Sequence, residues 1–269
     1  MAEISQEQKM FYASRISFYQ QTINTLLQKE QDFLLEIEKE TEQAPLKKFA
    51  LVDVALNITS NYIIQSGISE ALMRVKNESA LNEGRKAIYR SIIYLEDIVT
   101  NWIDVPFADY KEKVLALEPI SCAERFDKIR KLGFTIQLIE DTYGDNSKWK
   151  WSFVDLEGRF AVVSKNILNM ESMIANMDTR SPNYEPTVLH IRLIKRQLGN
   201  AANRFREKYE LSSQRIDDFR TAINLLNALR RVHIFLNESG EAEMLKKKSE
   251  AWLIKLESDI KSQNTAKQK

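Results

Sequence analysis

Apolar residues recur at three- and four-residue steps through most of this chain. Near the N-terminus Ile16, Tyr19, Ile23, Leu26, Phe33 and Ile37 keep that rhythm, which aligns them on one face of an α-helix. The spacing predicts a long amphipathic helix over residues 5–43, with Glu30 interrupting its seam and Ala44-Pro45 ending it. Residues 46–76 are apolar around most of the helical circumference, so this second helix is expected to lie centrally. A third, over 79–103, presents Leu81, Ile88, Ile92, Leu95 and Val99, and Val105-Pro106 follows as a stop signal. Together the three predict an antiparallel bundle.

The rhythm continues towards the C-terminus. A shorter helix is expected over 108–117. Ser121 and Glu124 stand at capping-box spacing and open another helix that runs to about Tyr143, where YGDNS reads as a loop. Residues 148–177 place Trp149, Phe153, Leu156, Phe160, Val163 and Ile167 on one face. The segment DTRSPNYEP, 178–186, carries two prolines and is the best candidate for a longer connection. Helices are then expected over 187–210, 212–236 and 242–262, with NESGE as a turn and 263–269 as a disordered tail. The organisation expected is an N-terminal helical bundle over 1–177, a connecting loop over 178–186, and C-terminal helices over 187–262 packing on the same bundle as one domain overall.

Composition sharpens this picture. Seven glycines and five prolines in 269 residues leave little for strands and tight turns. The fold class expected is all-α, an antiparallel helical bundle of about eight or nine helices, and 43% apolar content is enough for a sizeable core. The single Cys122 excludes an intramolecular disulfide and a multi-cysteine metal site. It fits a reducing compartment, and the cytoplasm is the expected location. The N-terminus MAEISQEQKMFYASR lacks the apolar stretch of a secretion signal. The most apolar run, 49–68, is broken by Asp53, Asn57, Asn61 and Gln65, so no membrane span is expected.

Thirty-nine basic and 38 acidic residues leave a net charge of +1, too little for a whole-protein field that draws the chain to nucleic acid or anionic membrane. The balance is uneven along the chain. Residues 1–150 carry 19 bases and 23 acids, whereas 151–269 carry 20 and 15, so the C-terminal half is the more anion-facing one.

Catalytic constellations are scarce. The two histidines, His190 and His233, stand in no metal-ligand spacing, no glycine-rich phosphate loop occurs, and no G-x-S-x-G is present. No catalytic residue, metal site or cofactor is expected, and the chain reads as not an enzyme. Asp217-Asp218 opens a DDFRT run, but a second acidic cluster of the kind Mg-dependent prenyl transfer needs does not stand out. Acids in a first helical turn suit the macrodipole.

Three polar stripes are candidates for function. In HIRLIKRQLGNAANRFREKYE, 190–210, there are six Lys/Arg and two acids. On a helical wheel Arg192, Arg196, Asn200 and Asn203 lie opposite Ile191, Ile194, Leu198 and Phe205. In the next helix Arg220, Asn224, Asn227 and Arg231 form a second rail, away from Phe219, Ile223, Leu226 and Leu229. A reversal at 211–213 makes the two helices antiparallel, and their rails then border one groove in which guanidinium and amide groups grip a phosphate, a carboxylate or an extended backbone. The bland alternative is a solvated face whose arginines pair with neighbouring acids. The third stripe, Asp53, Asn57, Asn61 and Gln65, is read as an internal polar network, or as the lining of a polar cavity that binds a small ligand. In KWKW, Trp149 fits the main apolar face of its helix, whereas Trp151 points nearly the other way with Gly158, Ala161 and Lys165, so this helix is either enclosed or bordered by a groove.

The function expected is a non-enzymatic scaffold or adaptor that holds a protein partner, as peptide or helix, through the Arg/Asn groove, with an acidic or phosphorylated segment as the anchor. Such a bundle resembles the 14-3-3 adaptors in architecture alone, with none of that family's motifs alignable. The alternatives are a nucleic-acid-associated protein using Arg192, Lys195, Arg196, Arg204, Arg206 and Lys208 on phosphates, and a small-ligand bundle around Asn57 and Asn61. The heptad-like seam of the first helix also makes a homodimer possible.

Overall fold

The computed structural model describes residues 4–144 and 148–267. In it the sequence rhythm becomes ten α-helices, and the described residues form no strand. They are α1 (Gln6–Lys39), α2 (Ala44–Met73), α3 (Glu78–Ile98), α4 (Lys111–Leu115), α5 (Cys122–Tyr143), α6 (Lys150–Asn166), α7 (Met170–Asn176), α8 (Tyr184–Lys208), α9 (Ile216–Phe235) and α10 (Ser239–Lys267). The fold is an all-α helical bundle, several of whose helices are long. No described helix is long and apolar enough to cross a membrane.

The chain divides into two compact units, one made of 1–100 and 112–148, the other of 101–111 and 149–269. The division falls well before 178–186. Residues 178–183 form a turn inside the second unit, where α6 packs on α8 and shares its core, and 184–186 already belong to α8. Of the expected YGDNS loop, residues 145–147 lie outside the described residues.

In the first unit α2 lies between α1 and α3, and α5 packs on α2 and α3. The central placement of α2 follows from its nearly all-round apolar surface, with Leu51, Val52, Ala55 and Ile58 all buried. Pro45 sits in the first turn of α2, and α1 has already ended at Lys39. This proline begins a helix, where its missing N–H costs nothing, and it does not terminate the previous one. Ser121 and Glu124 form the reciprocal capping box that opens α5. Gly84 lets α2 and α3 approach closely, since a Cβ there would lie 3.3 Å from Tyr62 Cβ, and Thr59 Oγ1 donates to the Gly84 carbonyl at 3.1 Å.

The residue that breaks the α1 seam anchors the helix. Glu30 is 5% exposed and accepts from Arg90 Nε at 2.9 Å, Arg90 Nη2 at 3.1 Å and Tyr94 Oη at 2.7 Å. Burial, and after it the hydrogen bond to Glu30, holds the Tyr94 hydroxyl above its ordinary pKa, so it stays a donor.

The second unit is built around α6, in which every residue from Phe160 to Asn166 is buried. The helix expected over 148–177 is broken after Asn166, because Asn169 caps a new helix by accepting from the N–H groups of Glu171 and Ser172. Helices α8 and α9 form a hairpin through a π-helical turn, Tyr209–Ser213, closed by Gln214 in the left-handed region. The last helix runs antiparallel to α9, with Ser249 near Asn227 and Gln263 donating to the Gln214 carbonyl. It extends through Lys267, so the tail expected over 263–269 is largely helix, and residues 268–269 lie outside the described residues.

Gly158 sets the α6–α8 distance. A Cβ there would stand 2.4 Å from Cε2 of the buried Phe205 ring. Gly158→Ala is expected to lower stability by about 1–3 kcal/mol through overpacking. In chemical unfolding, combining it with Phe205→Leu should cost less than the two single losses added together, since trimming the ring removes the clash.

Candidate functional site

The two Arg/Asn rails lie within the second unit, and the structure divides their residues by neighbour. Asn203 accepts from Lys248 Nζ at 3.0 Å and Asn227 accepts from Ser249 Oγ at 2.8 Å, so both amides are engaged by α10. Burial, with Arg206 nearby, lowers the Lys248 pKa, and its ammonium lies 4.9 Å from the centre of the Trp252 ring. Arg220 pairs with Asp217 one turn away at 3.2 Å, and Arg231 pairs with Asp104 at 2.8 Å. Four of the eight rail positions are thus bound to side chains of their own unit. Arg192, Arg196, Asn200 and Asn224 remain exposed.

On α8 the contrast among cations is sharp. Lys195 is held by Glu238, Arg204 by Glu157, Arg206 by Glu210, and Lys208 by Asp155 and Asp218. The hydrogen bond from Lys195 is the main reason the Glu238 carboxyl titrates below its usual range. Arg192 and Arg196 are the two α8 cations without an acidic partner among the described residues. They stand one turn apart, about 6 Å along the axis, and Asn200 continues the same exposed line.

The α2 stripe does not join into one network. Asp53 pairs with Lys128 of α5, Gln65 lies 3.5 Å from Gln20 of α1, Asn61 donates back to the Asn57 carbonyl at 2.8 Å, and Asn57 itself is exposed. These side chains face different neighbours because a four-residue repeat drifts around the helix by about 40° per step.

Other sequence features have structural places. His190 Nε2 is 2.9 Å from the Ser164 carbonyl, and His233 Nδ1 is 2.5 Å from Glu238. Asp218 is 8% exposed and held by Lys208, and Asp217 pairs with Arg220. Trp151, half-buried, packs against the core of its unit, as do Val154, Ala161 and Val162 of the same helix. No group of three or more His, Cys, Asp or Glu among the described residues is arranged to hold a metal ion.

Sequence alone places Lys165 on the side of α6 shared with Trp151 and gives it no role. Lys165, in the last turn of α6, is 2% exposed. Its ammonium lies 5.5 Å from the centre of the buried Tyr110 ring, and burial lowers its pKa to about 8, with Asp104 opposing and Arg231 reinforcing that shift. The segment 101–111 is fastened over this end of the helix. Asn166 Nδ2 donates to the Trp102 carbonyl at 3.1 Å, Asp104 meets Arg231, Lys111 meets Glu171 at 2.7 Å, and Ile103 and Phe107 pack on the core. The legible signal was a lysine set within the run FAVVSKNIL, where residues 160–163 and 167–168 are apolar.

No curated protein and no solved structure matches the chain. One family model does match, over residues 8–260. Covering nearly the whole chain, it shows that this protein belongs to the TP0443 family.

Proposed function

We propose that the protein is a non-enzymatic helical scaffold whose second unit holds an acidic or phosphorylated segment of a protein partner on the exposed line Arg192, Arg196 and Asn200. The observation that carries this reading is the selective pairing on α8. Its other four cations are neutralised by acids of the same unit, while Arg192 and Arg196 present their forks to solvent. Two guanidinium groups one turn apart suit bidentate recognition of a phosphate or of paired carboxylates. The same pairing argues against a nucleic-acid surface, because the continuous basic track needed for several phosphates is interrupted by Glu238, Glu157 and Asp155. The lone cysteine favours the cytoplasm as the place of action.

A library of phosphorylated, acidic and neutral peptides, read by fluorescence polarisation against wild type and Arg192→Glu/Arg196→Glu, tests the proposal. Wild type is expected to select phosphorylated or acidic members, and the double variant to lose about tenfold or more in affinity. Failure of wild type to bind any member, or equal binding by the variant, overturns the reading. A salt-steep shift of DNA or RNA by wild type would assign the surface to nucleic acid instead.

A further inference from the structure

The N-terminal part of α1 carries apolar side chains where a solvated helix is polar. Met10, Phe11 and Phe18 are 61%, 47% and 59% exposed; Met10 and Phe18 point away from the buried Ile23 and Glu30, and Phe11 lies on the adjoining flank. Towards the C-terminal end the outer side carries Gln21, Thr25, Gln28 and Asp32, with Leu35, 54% exposed, at its edge. The N-terminal part of α1 also outruns its support. Counted from the contact between Gln20 and Gln65, the end of α2 at Met73 lies level with about residue 12 of α1. The first two turns therefore project past α2, yet they are closed by a complete capping box at Ser5.

The order of charges along this edge is complementary about Phe11. Glu7, Phe11 and Arg15 follow at steps of four within α1 and read acid, aromatic, base. Neither Glu7 nor Arg15 has an oppositely charged partner among the described residues, and the Arg15 guanidinium rests 5.0 Å from the Phe11 ring centre.

We propose that this face of α1 is a homodimer interface, two copies packing α1 antiparallel about a two-fold axis at Phe11. In that arrangement Glu7 of each copy faces Arg15 of the other, Phe11 meets Phe11, and the exposed Phe18 rings flank the contact. Glu7 and Arg15, four residues to either side of Phe11, meet the requirement of an isologous contact, in which residue i meets j and j meets i. A single pair of helix segments buries less than the ~1,200 Å² of a standard interface, so the dimer is weak and concentration-dependent. It presents two copies of the α8 surface, although the contact itself stands independently of what that surface binds.

Sedimentation velocity of the full chain over micromolar to near-millimolar concentrations is the test, with circular dichroism to confirm unchanged helix content. Wild type is expected to pass from monomer to dimer. Glu7→Arg places like charges opposite each other twice and should weaken association by about tenfold or more, whereas Glu7→Arg/Arg15→Glu restores it. Phe11→Glu abolishes it. A wild type monomeric throughout, or a dimer indifferent to Glu7→Arg, overturns the proposal. So does a monomeric wild type that sediments with anionic lipid vesicles through Phe11 and Phe18, which would assign the patch to a membrane surface.

Discussion

Glu30→Ala is expected to lower the stability of the first unit by about 2–4 kcal/mol. The substitution removes a carboxylate that receives three hydrogen bonds and leaves the Tyr94 hydroxyl and part of the Arg90 guanidinium facing an apolar seam. The Arg90 side chain is 34% exposed, so water recovers some of its hydration and the lower part of that range is the better guide. Replacing both partners tells the roles apart. Glu30→Leu with Arg90→Met removes the buried charge along with its need for a partner and should restore most of the loss, as apolar replacements of buried ion pairs commonly do. Urea unfolding of the three proteins is the measurement. A Glu30→Ala midpoint equal to wild type would show that the triad contributes nothing to holding α1.

The same residue shows where the sequence was readable and where it stopped being so. The interruption at Glu30 is visible in the α1 rhythm, but its partners lie 60 and 64 residues away, and no local periodicity reports a contact at that separation. Capping chemistry is local and was legible: Ser121 with Glu124 marked the start of α5. Asn169 offered the same kind of signal in the middle of 148–177, where unbroken apolar spacing on both sides concealed a restart. Pro45 was seen but assigned to the wrong helix, because a proline between two helices marks the start of the second as well as the end of the first.

The candidate site divides along a similar line. A helical wheel fixes the direction of Arg192 or Asn203 relative to its own helix axis and says nothing of what is packed opposite. The two rails are real stripes on α8 and α9, yet α10 engages Asn203 and Asn227 while leaving Arg192 and Arg196 in solvent. The α2 stripe failed to become a network for a geometric reason also present in the sequence. Four-residue steps turn by 400°, so Asp53 and Gln65 are directed to different helices.

Lys165→Met is expected to stabilise the protein at pH 7 by about 1–3 kcal/mol. The wild-type ammonium is buried, and desolvation brings its pKa down to about 8 from an ordinary 10.5. A difference of that size corresponds to about 3 kcal/mol disfavouring the charged form in the folded state. The attraction to the Tyr110 ring, worth about 0.5–2 kcal/mol, is lost on substitution and trims the gain. The sign of the pH dependence follows from proton binding. Below pH 8 the lysine is charged in both folded and unfolded chains, and the full penalty applies. Between about pH 8 and 10.5 the unfolded chain holds the proton and the folded one does not, so wild-type stability rises with pH relative to Lys165→Met. The advantage of the methionine variant should therefore be largest at neutral pH and fade as pH approaches 10.5. Urea midpoints of the two proteins at pH 7 and at pH 10 measure this directly, since every other titrating group is common to both and cancels in the difference. A variant no more stable than wild type at pH 7 would mean that Asp104 and the Tyr110 ring fully compensate the buried charge, which would make Lys165 a stabilising clasp for the segment 101–111 instead of a burden on it.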